Sequence, residues 1–540
     1  MGLEFGTGGL RGIMGEGEDQ MNSGTVQKAT QGLANYIIEL KGREKGVAIA
    51  YDTRNRSSEF AEAAACCLAA NNIKVYIFSQ PHPTPMLSFA IRELGCMAGI
   101  VVTASHNPPE YNGYKVYWED GGQITAPRDK EIIARVNDVT DFAQIKTISR
   151  EEAEERGLYQ VIPPEIEDQY FEAIKKLVLR PEIVREQAAK LKIVYTPLHG
   201  TGNLPVRRIL QELGFAQVYV VKEQELPDGN FPTVSYPNPE DKHAFDLALK
   251  LAEEVGADIV LATDPDADRL GVYAKDTKTG NYKSFTGNMS GMLILDYLLS
   301  QKKALSILPE NGAVITTIVS GKMAKKITEE YHVELIETLT GFKYIGEQIK
   351  LFEQENSYEY LFGYEESYGC LPGTYARDKD AVAAAMVLCE VAAWCRSRNM
   401  TLCEQMEYLY ARYGYFKEGL STVTMKGQQG KQQIAAMMEH MRTNLPGQIG
   451  GFKVVQFCDY LEDKLVDCVT GEAMGTGLPR SNVLYFKLED DAWCCIRPSG
   501  TEPKIKCYAG VRCGSEKEAE DKLNFLMEDF CNTFIFCRKN

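Results

Sequence analysis

Thr103-Ala104-Ser105-His106-Asn107-Pro108 sets one hydroxyl in a position from which a phosphoryl group can be carried. The preceding run, residues 98–102, is apolar and β-branched and reads as a buried strand. Asn107-Pro108-Pro109 breaks it at once, because proline has no amide hydrogen and restricts the residue before it. Ser105 is therefore expected in an exposed turn at a strand end. By themselves these residues are equally an ordinary Ser/Asn/Pro turn. A second group, Asp264-Pro265-Asp266-Ala267-Asp268-Arg269, follows the strand 259–263 and can bring three carboxylates onto one hard cation. Without a cation the group is a solvated acidic turn. A calcium EF-hand loop is excluded, since Arg269 stands where Gly is needed at position 6 and Lys275 where Glu is needed at position 12. Three carboxylates leave coordination sites open, which suits Mg²⁺ completed by a phosphate oxygen.

Two further loops carry polar chemistry. Gly363-Tyr364-Glu365-Glu366-Ser367-Tyr368-Gly369 offers a carboxylate acceptor and a hydroxyl donor two residues apart, a pair able to grip vicinal sugar hydroxyls. Arg497-Pro498-Ser499-Gly500-Thr501 combines a guanidinium, two hydroxyls and glycine-exposed amides, which is a compact anion cradle or a plain hairpin turn. The net charge of −16 over 540 residues makes such a local cradle necessary for any phosphorylated ligand. The same charge excludes a nucleic-acid partner, which needs a basic footprint.

The serine run, continued by Tyr111-Asn112-Gly113-Tyr114-Lys115, resembles the active-site serine loop of the α-D-phosphohexomutases, the family of phosphoglucomutases and phosphomannomutases. The Asp triplet, the Glu-x-Ser loop and the Arg497 loop resemble that family's metal, sugar and phosphate loops, in the family's order, so the likeness runs from Gly6 to about Gly510. Gly6-Thr7-Gly8-Gly9-Leu10-Arg11-Gly12 is similar to its N-terminal segment, which larger members precede with a helix. Leu339-Thr340-Gly341-Phe342-Lys343 resembles its loop for the sugar C3 region, in a form closer to glucose-type members. Tyr364 and Glu366 depart from the commonest form of the sugar loop.

The resemblance, closest to the phosphoglucomutase/phosphopentomutase-like branch, implies a phosphosugar mutase interconverting hexose 1- and 6-phosphates of glucose or mannose. Ser105 would carry the phosphoryl group, Mg²⁺ would sit on Asp264, Asp266, Asp268 and the phosphorylated Ser105, and glucose 1,6-bisphosphate would be intermediate and activator. Arg11, Lys115 and Arg269 would offset charge, and Lys115 or His106 would move the proton. Thr340, Gly341, Lys343, Glu365 and Ser367 would hold the sugar, with Arg497, Ser499, Gly500 and Thr501 on the distal phosphate. The alternatives are a phosphopentomutase, a glucose 1,6-bisphosphate synthase and, from other classes, a metal-dependent phosphatase or an idle sugar-phosphate binder. His199 is a further lone histidine without an assigned role.

Positioning these loops requires strands that end where the chemistry begins. Residues 46–104, 191–263 and 313–364 each alternate apolar strands with helix-period segments, which predicts three consecutive α/β domains with mixed, mainly parallel sheets. Beyond them, strands near 464–469, 482–488, 493–497 and 504–510 and an amphipathic segment at 516–534 predict a smaller α+β domain with an antiparallel sheet. The expected division around a central cleft is 1–175 (serine loop), 176–300 (metal), 301–412 (sugar) and 413–540 (phosphate), with a joint at Tyr413–Glu418. A hydrophobic content of 44% without an 18-residue apolar run predicts a protein that does not cross a membrane. The fifteen cysteines lack any Cys-x-x-Cys and an export signal, so they read as reduced thiols of a cytoplasmic protein. A monomer or weak homodimer acting on a small phosphosugar is the expected form.

Overall fold

The strand-rich stretches assemble into four sheets. A computed structural model describes residues 9–425, 427–498 and 504–536. The first sheet contains β1 (Gly9–Ile13), β2 (Val47–Tyr51), β3 (Val75–Ile77), β4 (Ala98–Val102), β5 (Tyr111–Trp118) and β6 (Tyr159–Val161), in the order β1-β5-β4-β2-β3-β6. Its parallel part, β4-β2-β3-β6, reads as continuous apolar sequence because β2 and β4 are buried along their whole length. The helices Ser57–Ala70 and Thr84–Glu93 follow β2 and β3 and pack against the sheet.

The second sheet joins β7 (Lys192–Thr196), β8 (Gln217–Val220), β9 (Ile259–Thr263), β10 (Leu270–Lys275) and β11 (Tyr282–Phe285) in the order β11-β10-β9-β7-β8. Its β8-β7-β9 core is parallel, while β10 and β11 add antiparallel strands. The third sheet, β13-β12-β14-β15, is formed by β12 (Gly312–Thr317), β13 (Glu334–Thr338), β14 (Glu359–Glu365) and β15 (Gly369–Leu371). These are the mixed, mostly parallel α/β sheets expected.

The fourth sheet is antiparallel throughout its described pairings. It holds β16 (Tyr415–Thr424), β18 (Phe452–Asp459), β19 (Lys464–Asp467), β20 (Ala473–Met474), β21 (Leu484–Leu488), β22 (Trp493–Pro498) and β23 (Lys504–Cys513), with the two-residue β17 (Gln448–Ile449) pairing β18. The helix Glu516–Phe536 covers β16 and β23. Ten residues of β16 pair with β23 from Tyr415 onward, so the expected joint at Tyr413–Glu418 falls largely within a strand.

The chain divides into two compact units. One is Met1–Thr316, Tyr331–Ile336 and Gly341–Gln405; the other is Thr317–Glu330, Glu337–Thr340 and Met406–Asn540. No helix among the described residues is long and apolar enough to cross a membrane.

Candidate active site

The serine loop is fixed from below by one buried acid and one buried arginine. Asp52, just past the end of β2, accepts hydrogen bonds from Ser57 Oγ (2.7 Å) and Thr103 Oγ1 (2.6 Å). Thr103 Oγ1 in turn accepts from the Ser105 amide at 2.8 Å. Arg54 Nε lies 3.4 Å from Asp52, and both side chains are fully buried. The Arg54 guanidinium donates to the carbonyls of Ser105 (2.6 Å), Pro108 (2.9 Å), Tyr111 (3.2 Å) and Asn107. Ser105 itself adopts φ +50°, a left-handed conformation for a residue with a side chain. It is buried rather than exposed, at 3% of its accessible surface. The sequence put it at an exposed turn, and the Asp264–Asp268 loop after β9 meets it there.

That contact defines the site. Ser105 Oγ donates to Asp264 Oδ2 at 2.8 Å and lies 3.2 Å from His106 Nδ1. Asp264, Asp266 and Asp268 are buried, and one ligand oxygen from each lies within 4.8 Å of the others. Asp264 Oδ1 accepts from the amides of Asp268 (3.1 Å) and Arg269 (3.0 Å), which folds the loop back on itself. Thr84 Oγ1, at the N-terminal end of its helix, donates to Asp266 Oδ2 at 2.9 Å. Lys115 on β5 reaches Asp266 (3.2 Å) and Asp268 (3.7 Å). The loop is also held by main-chain bonds: Thr84 N to Asp266 O, Thr201 N to Pro265 O, Leu270 N to Tyr368 O and Ala381 N to Ala267 O.

Electrostatics follow from that burial. Burial, with Asp268 and Asp266 beside it, pushes the Asp264 carboxyl well above the usual carboxylate range. Burial alone would also raise Asp266, but Lys115, Asp264 and Lys379 hold it below. Asp266 Oδ1 and Asp268 Oδ1 are buried and accept no hydrogen bond. An all-oxygen set with two such orphaned atoms fits a hard divalent cation, so the triplet could hold a metal ion. Burial and the nearby Arg269 and Arg11 hold the His106 imidazole well below its ordinary range, which keeps it neutral.

The Glu365–Ser367 loop, at the end of β14 in the third sheet, belongs to the same unit. Ser367 Oγ donates to Glu365 Oε1 at 2.8 Å, so the two residues singled out in the sequence already face one another. Gly287 opens a helix directly beneath them, where a Cβ would stand 2.3 Å from the Glu366 carbonyl; the close approach requires glycine. Lys379 links this loop to the metal loop, with Nζ 3.0 Å from Asp268 and 3.9 Å from Glu365. Burial would lower its ammonium pKa, but Asp268, Asp378 and Glu365 raise it and keep the group charged.

The other expected residues have surroundings of their own. Arg11 on β1 is exposed and donates to Asn107 Oδ1 at 3.3 Å, touching the serine loop from its outer side. Arg269 points to Glu240, with Nε 3.9 Å from Asp268. Gly341 precedes the helix Phe342–Glu355 at φ +122°, a conformation that side chains resist. Lys343, on that helix, has its ammonium pKa lowered by burial, with Asp129 and Glu347 opposing. Thr340 Oγ1 is buried without a hydrogen bond and belongs to the second unit. Arg497, also in that unit, lies on β22 opposite Lys506 with its Nε buried and without a hydrogen bond among the described residues. Ser499, Gly500 and Thr501 lie outside the described residues, as do Gly6, Thr7 and Gly8 of the glycine-rich start. His199 is enclosed by the Leu226 carbonyl (3.0 Å) and Thr233 Oγ1 (3.0 Å), a structural role.

Arg54, Asp52, Thr84 and Lys379 were not anticipated. Asp52-Thr53-Arg54 had a usable signal, since it directly follows a buried parallel strand, where α/β sheets collect their ligands. Lys379 stands in the run Arg377-Asp378-Lys379-Asp380, whose density of charge before a mostly apolar helix was the only hint.

Three family models match in order: phosphoglucomutase/phosphomannomutase alpha/beta/alpha domain I over residues 2–142, domain II over 168–279 and domain III over 286–413. The chain therefore belongs to the phosphoglucomutase/phosphomannomutase family. Its activity is that of a hexose phosphate mutase, an isomerase. It is 38% identical over 525 residues to a phosphoglucomutase of Staphylococcus epidermidis, covering 97% of this chain and 93% of the relative. In fold it is similar to a phosphoglucomutase/phosphomannomutase family protein of Burkholderia thailandensis (TM-score 0.69, 19% identity, 99% and 98% coverage). It is likewise similar to parafusin, a phosphoglucomutase of Paramecium in its open form (TM-score 0.71, 18% identity, 99% and 94% coverage).

Proposed function

We propose that this mutase runs on a phosphoserine at Ser105 and converts glucose 1-phosphate and glucose 6-phosphate into one another. The observation that carries the reading is the 2.8 Å bond from Ser105 Oγ into a buried carboxylate triplet with two donor-free oxygens. The donor set supports Mg²⁺, which, when bound, supplies Lewis-acid neutralisation of phosphoryl charge. Asp264, Asp266 and Asp268 would hold it together with a phosphate oxygen on Ser105.

The phosphoryl group passes from Ser105 Oγ to a free sugar hydroxyl: the serine P–O bond breaks, a sugar P–O bond forms, and the sugar proton leaves to a base. His106, neutral and beside Oγ, can take that proton, and Lys115, whose cation lies against Asp266 and Asp268, can supply one in the reverse direction. Returning the other phosphoryl group of the 1,6-bisphosphate restores Ser105. Arg54 holds the serine loop so that Oγ keeps its line of attack, and Lys115 and Lys379 offset the charge around it. Glu365 and Ser367 would take the sugar hydroxyls, and Arg497 with Ser499, Gly500 and Thr501 the phosphate that is not reacting. Thr340, Gly341 and Lys343 would read the C3 side of the ring, and Arg11 and Arg269 complete the positive surroundings. The soluble composition and the reduced thiols support a cytoplasmic location, and the division 1–175, 176–300, 301–412 and 413–540 assigns one such loop to each domain.

Intact-mass analysis with a glucose 1-phosphate assay tests this reading. The expected result is a resting enzyme heavier by one phosphoryl group, with the added mass mapping to Ser105 and lost in Ser105→Ala. An active enzyme with no phosphoserine in any preparation would overturn it.

A further inference from the structure

One ammonium group in the second unit gathers contacts from β13, β21 and β22. Lys322 directly precedes the helix Met323–Tyr331, and its Nζ donates to the Ile318 carbonyl at 3.0 Å. It donates also to the Glu337 carboxylate on β13. The same Nζ stands 5.4 Å from the ring centres of Tyr485 on β21 and of Trp493 on β22. Those two rings stack on each other, 5.8 Å apart and 11° from parallel. Only 18% of the Lys322 side chain is exposed, so this cation is largely withdrawn from water.

Each of these contacts leads to a residue expected to touch substrate. On one side the Ile318 amide donates to the Thr338 carbonyl at 2.9 Å, and Thr340 stands two residues further on. The turn beneath Lys322 is held by the Thr317 amide, which donates to Ser320 Oγ at 3.2 Å. On the other side, side chains alternate along β22. Cys494 and Ile496 enter the core with Leu523 and Leu526 of the helix Glu516–Phe536, so Trp493, Cys495 and Arg497 share the opposite face. Thr340 Oγ1 and Arg497 Nε, the two ends of this frame, are both buried without a hydrogen bond among the described residues.

We propose that Lys322 is a positioning residue for the mutase reaction, fixing the distance between Thr340 and Arg497. The inference rests on the reading above, in which Thr340 meets the C3 side of the sugar and Arg497 the phosphate that is not reacting. A rigid hexose phosphate is held at both places only when their spacing matches it. An apolar side chain would cover the two rings equally well. Only a cation on a flexible stem also binds a carbonyl and a carboxylate through the same atom. Both hexose phosphates use the same pair of anchors, so loosening the frame weakens the two isomers alike.

Steady-state kinetics of the purified enzyme, with inorganic phosphate as a competitive inhibitor, test this. Phosphate needs only an anion site, whereas glucose 1-phosphate must reach both anchors. Lys322→Met should raise KM for glucose 1-phosphate and glucose 6-phosphate by about 10-fold, with kcat within about twofold of wild type. The Ki for phosphate should not change. Lys322→Arg, which keeps the charge and stacks on the same rings, should restore KM. Should Lys322→Met not fold, Glu337→Gln loosens the same tether from a carboxylate that is 40% exposed, and is read in the same way. The inference is overturned by an unchanged KM, by a Ki for phosphate that rises in step with KM, or by a fall in kcat and unfolding temperature with KM kept. Arg497→Ala separates the two possible failures. If it leaves KM unchanged, the phosphate-site reading falls and takes this inference with it; if it raises KM while Lys322→Met does not, the inference alone falls.

Discussion

Arg54 Nη2 donates to the carbonyl oxygen of Ser105 at 2.6 Å, so a buried guanidinium holds the backbone of the residue proposed to carry the phosphoryl group. The same side chain faces Asp52, and neither has access to solvent. Arg54→Met should therefore leave an unpaired buried carboxylate and cost about 3–5 kcal/mol of folding stability. A denaturant titration checks this as a lower midpoint at unchanged slope. Any folded fraction should show reduced kcat, because the serine loop has lost the guanidinium that anchors its carbonyls.

Ser105→Ala removes one hydroxyl and keeps the left-handed backbone. The expected result is loss of mutase turnover by at least about 10³-fold, since the chemistry loses its only carrier. The unfolding temperature should move little, because one hydrogen bond contributes on the order of 1 kcal/mol. Turnover near that of wild type would contradict the phosphoserine mechanism.

The three acids repel one another in a buried setting, so a bound divalent ion should stabilise the fold as well as the reaction. Millimolar Mg²⁺ should raise the unfolding temperature of the wild type, by an amount corresponding to about 2–3 kcal/mol at a hundredfold excess over Kd. Asp264→Asn keeps Oδ1 as acceptor for the backbone amides of Asp268 and Arg269 while neutralising Oδ2, and should lose most of that shift. Thermal denaturation with Mg²⁺ and with EDTA distinguishes these outcomes without an activity assay.

Glu390 gives a pH signature outside the active site. It is buried in the helix Ala381–Ser397, where its Oε1 accepts from the amides of Leu179 (2.8 Å) and Arg180 (2.7 Å). Burial pushes its carboxyl from 4.5 up to about 7. A raised carboxyl contributes fully below the unfolded value and loses that contribution as pH rises through the folded one. Wild-type stability should thus fall between pH 5 and pH 8 by on the order of 3 kcal/mol through this group. Glu390→Gln keeps the acceptor and removes the titration, so its chemical-denaturation midpoint should exceed that of wild type at pH 8 and match it near pH 5.

Arg497→Ala should raise KM for glucose 1-phosphate by about 10- to 100-fold, the range expected when a charge-assisted bond of about 1.5–3 kcal/mol is lost. Steady-state kinetics checks this, and an unchanged KM would remove Arg497 from phosphate binding.

The α/β alternation, the antiparallel last sheet and the loops at strand ends were legible because they rest on local periodicity and on strand breakers such as Asn107-Pro108. The depth of Ser105 was not. Its turn looks solvent-facing in isolation, and the bond that ties it to Asp264 joins residues 159 positions apart. Lys379 and Arg54 escaped for the same reason: a lone cation in a sequence carries no mark of the carboxylate or carbonyl it will face.

The Asp264–Leu270 segment takes main-chain bonds from Thr84, Thr201 and Ala381 and gives one to the Tyr368 carbonyl. Peptide groups make these links, so the backbone sets the loop's path and leaves the Oδ1 atoms of Asp266 and Asp268 open to a ligand. The keystone is thus written in backbone, and the freedom to retune catalysis is left to the residues around it.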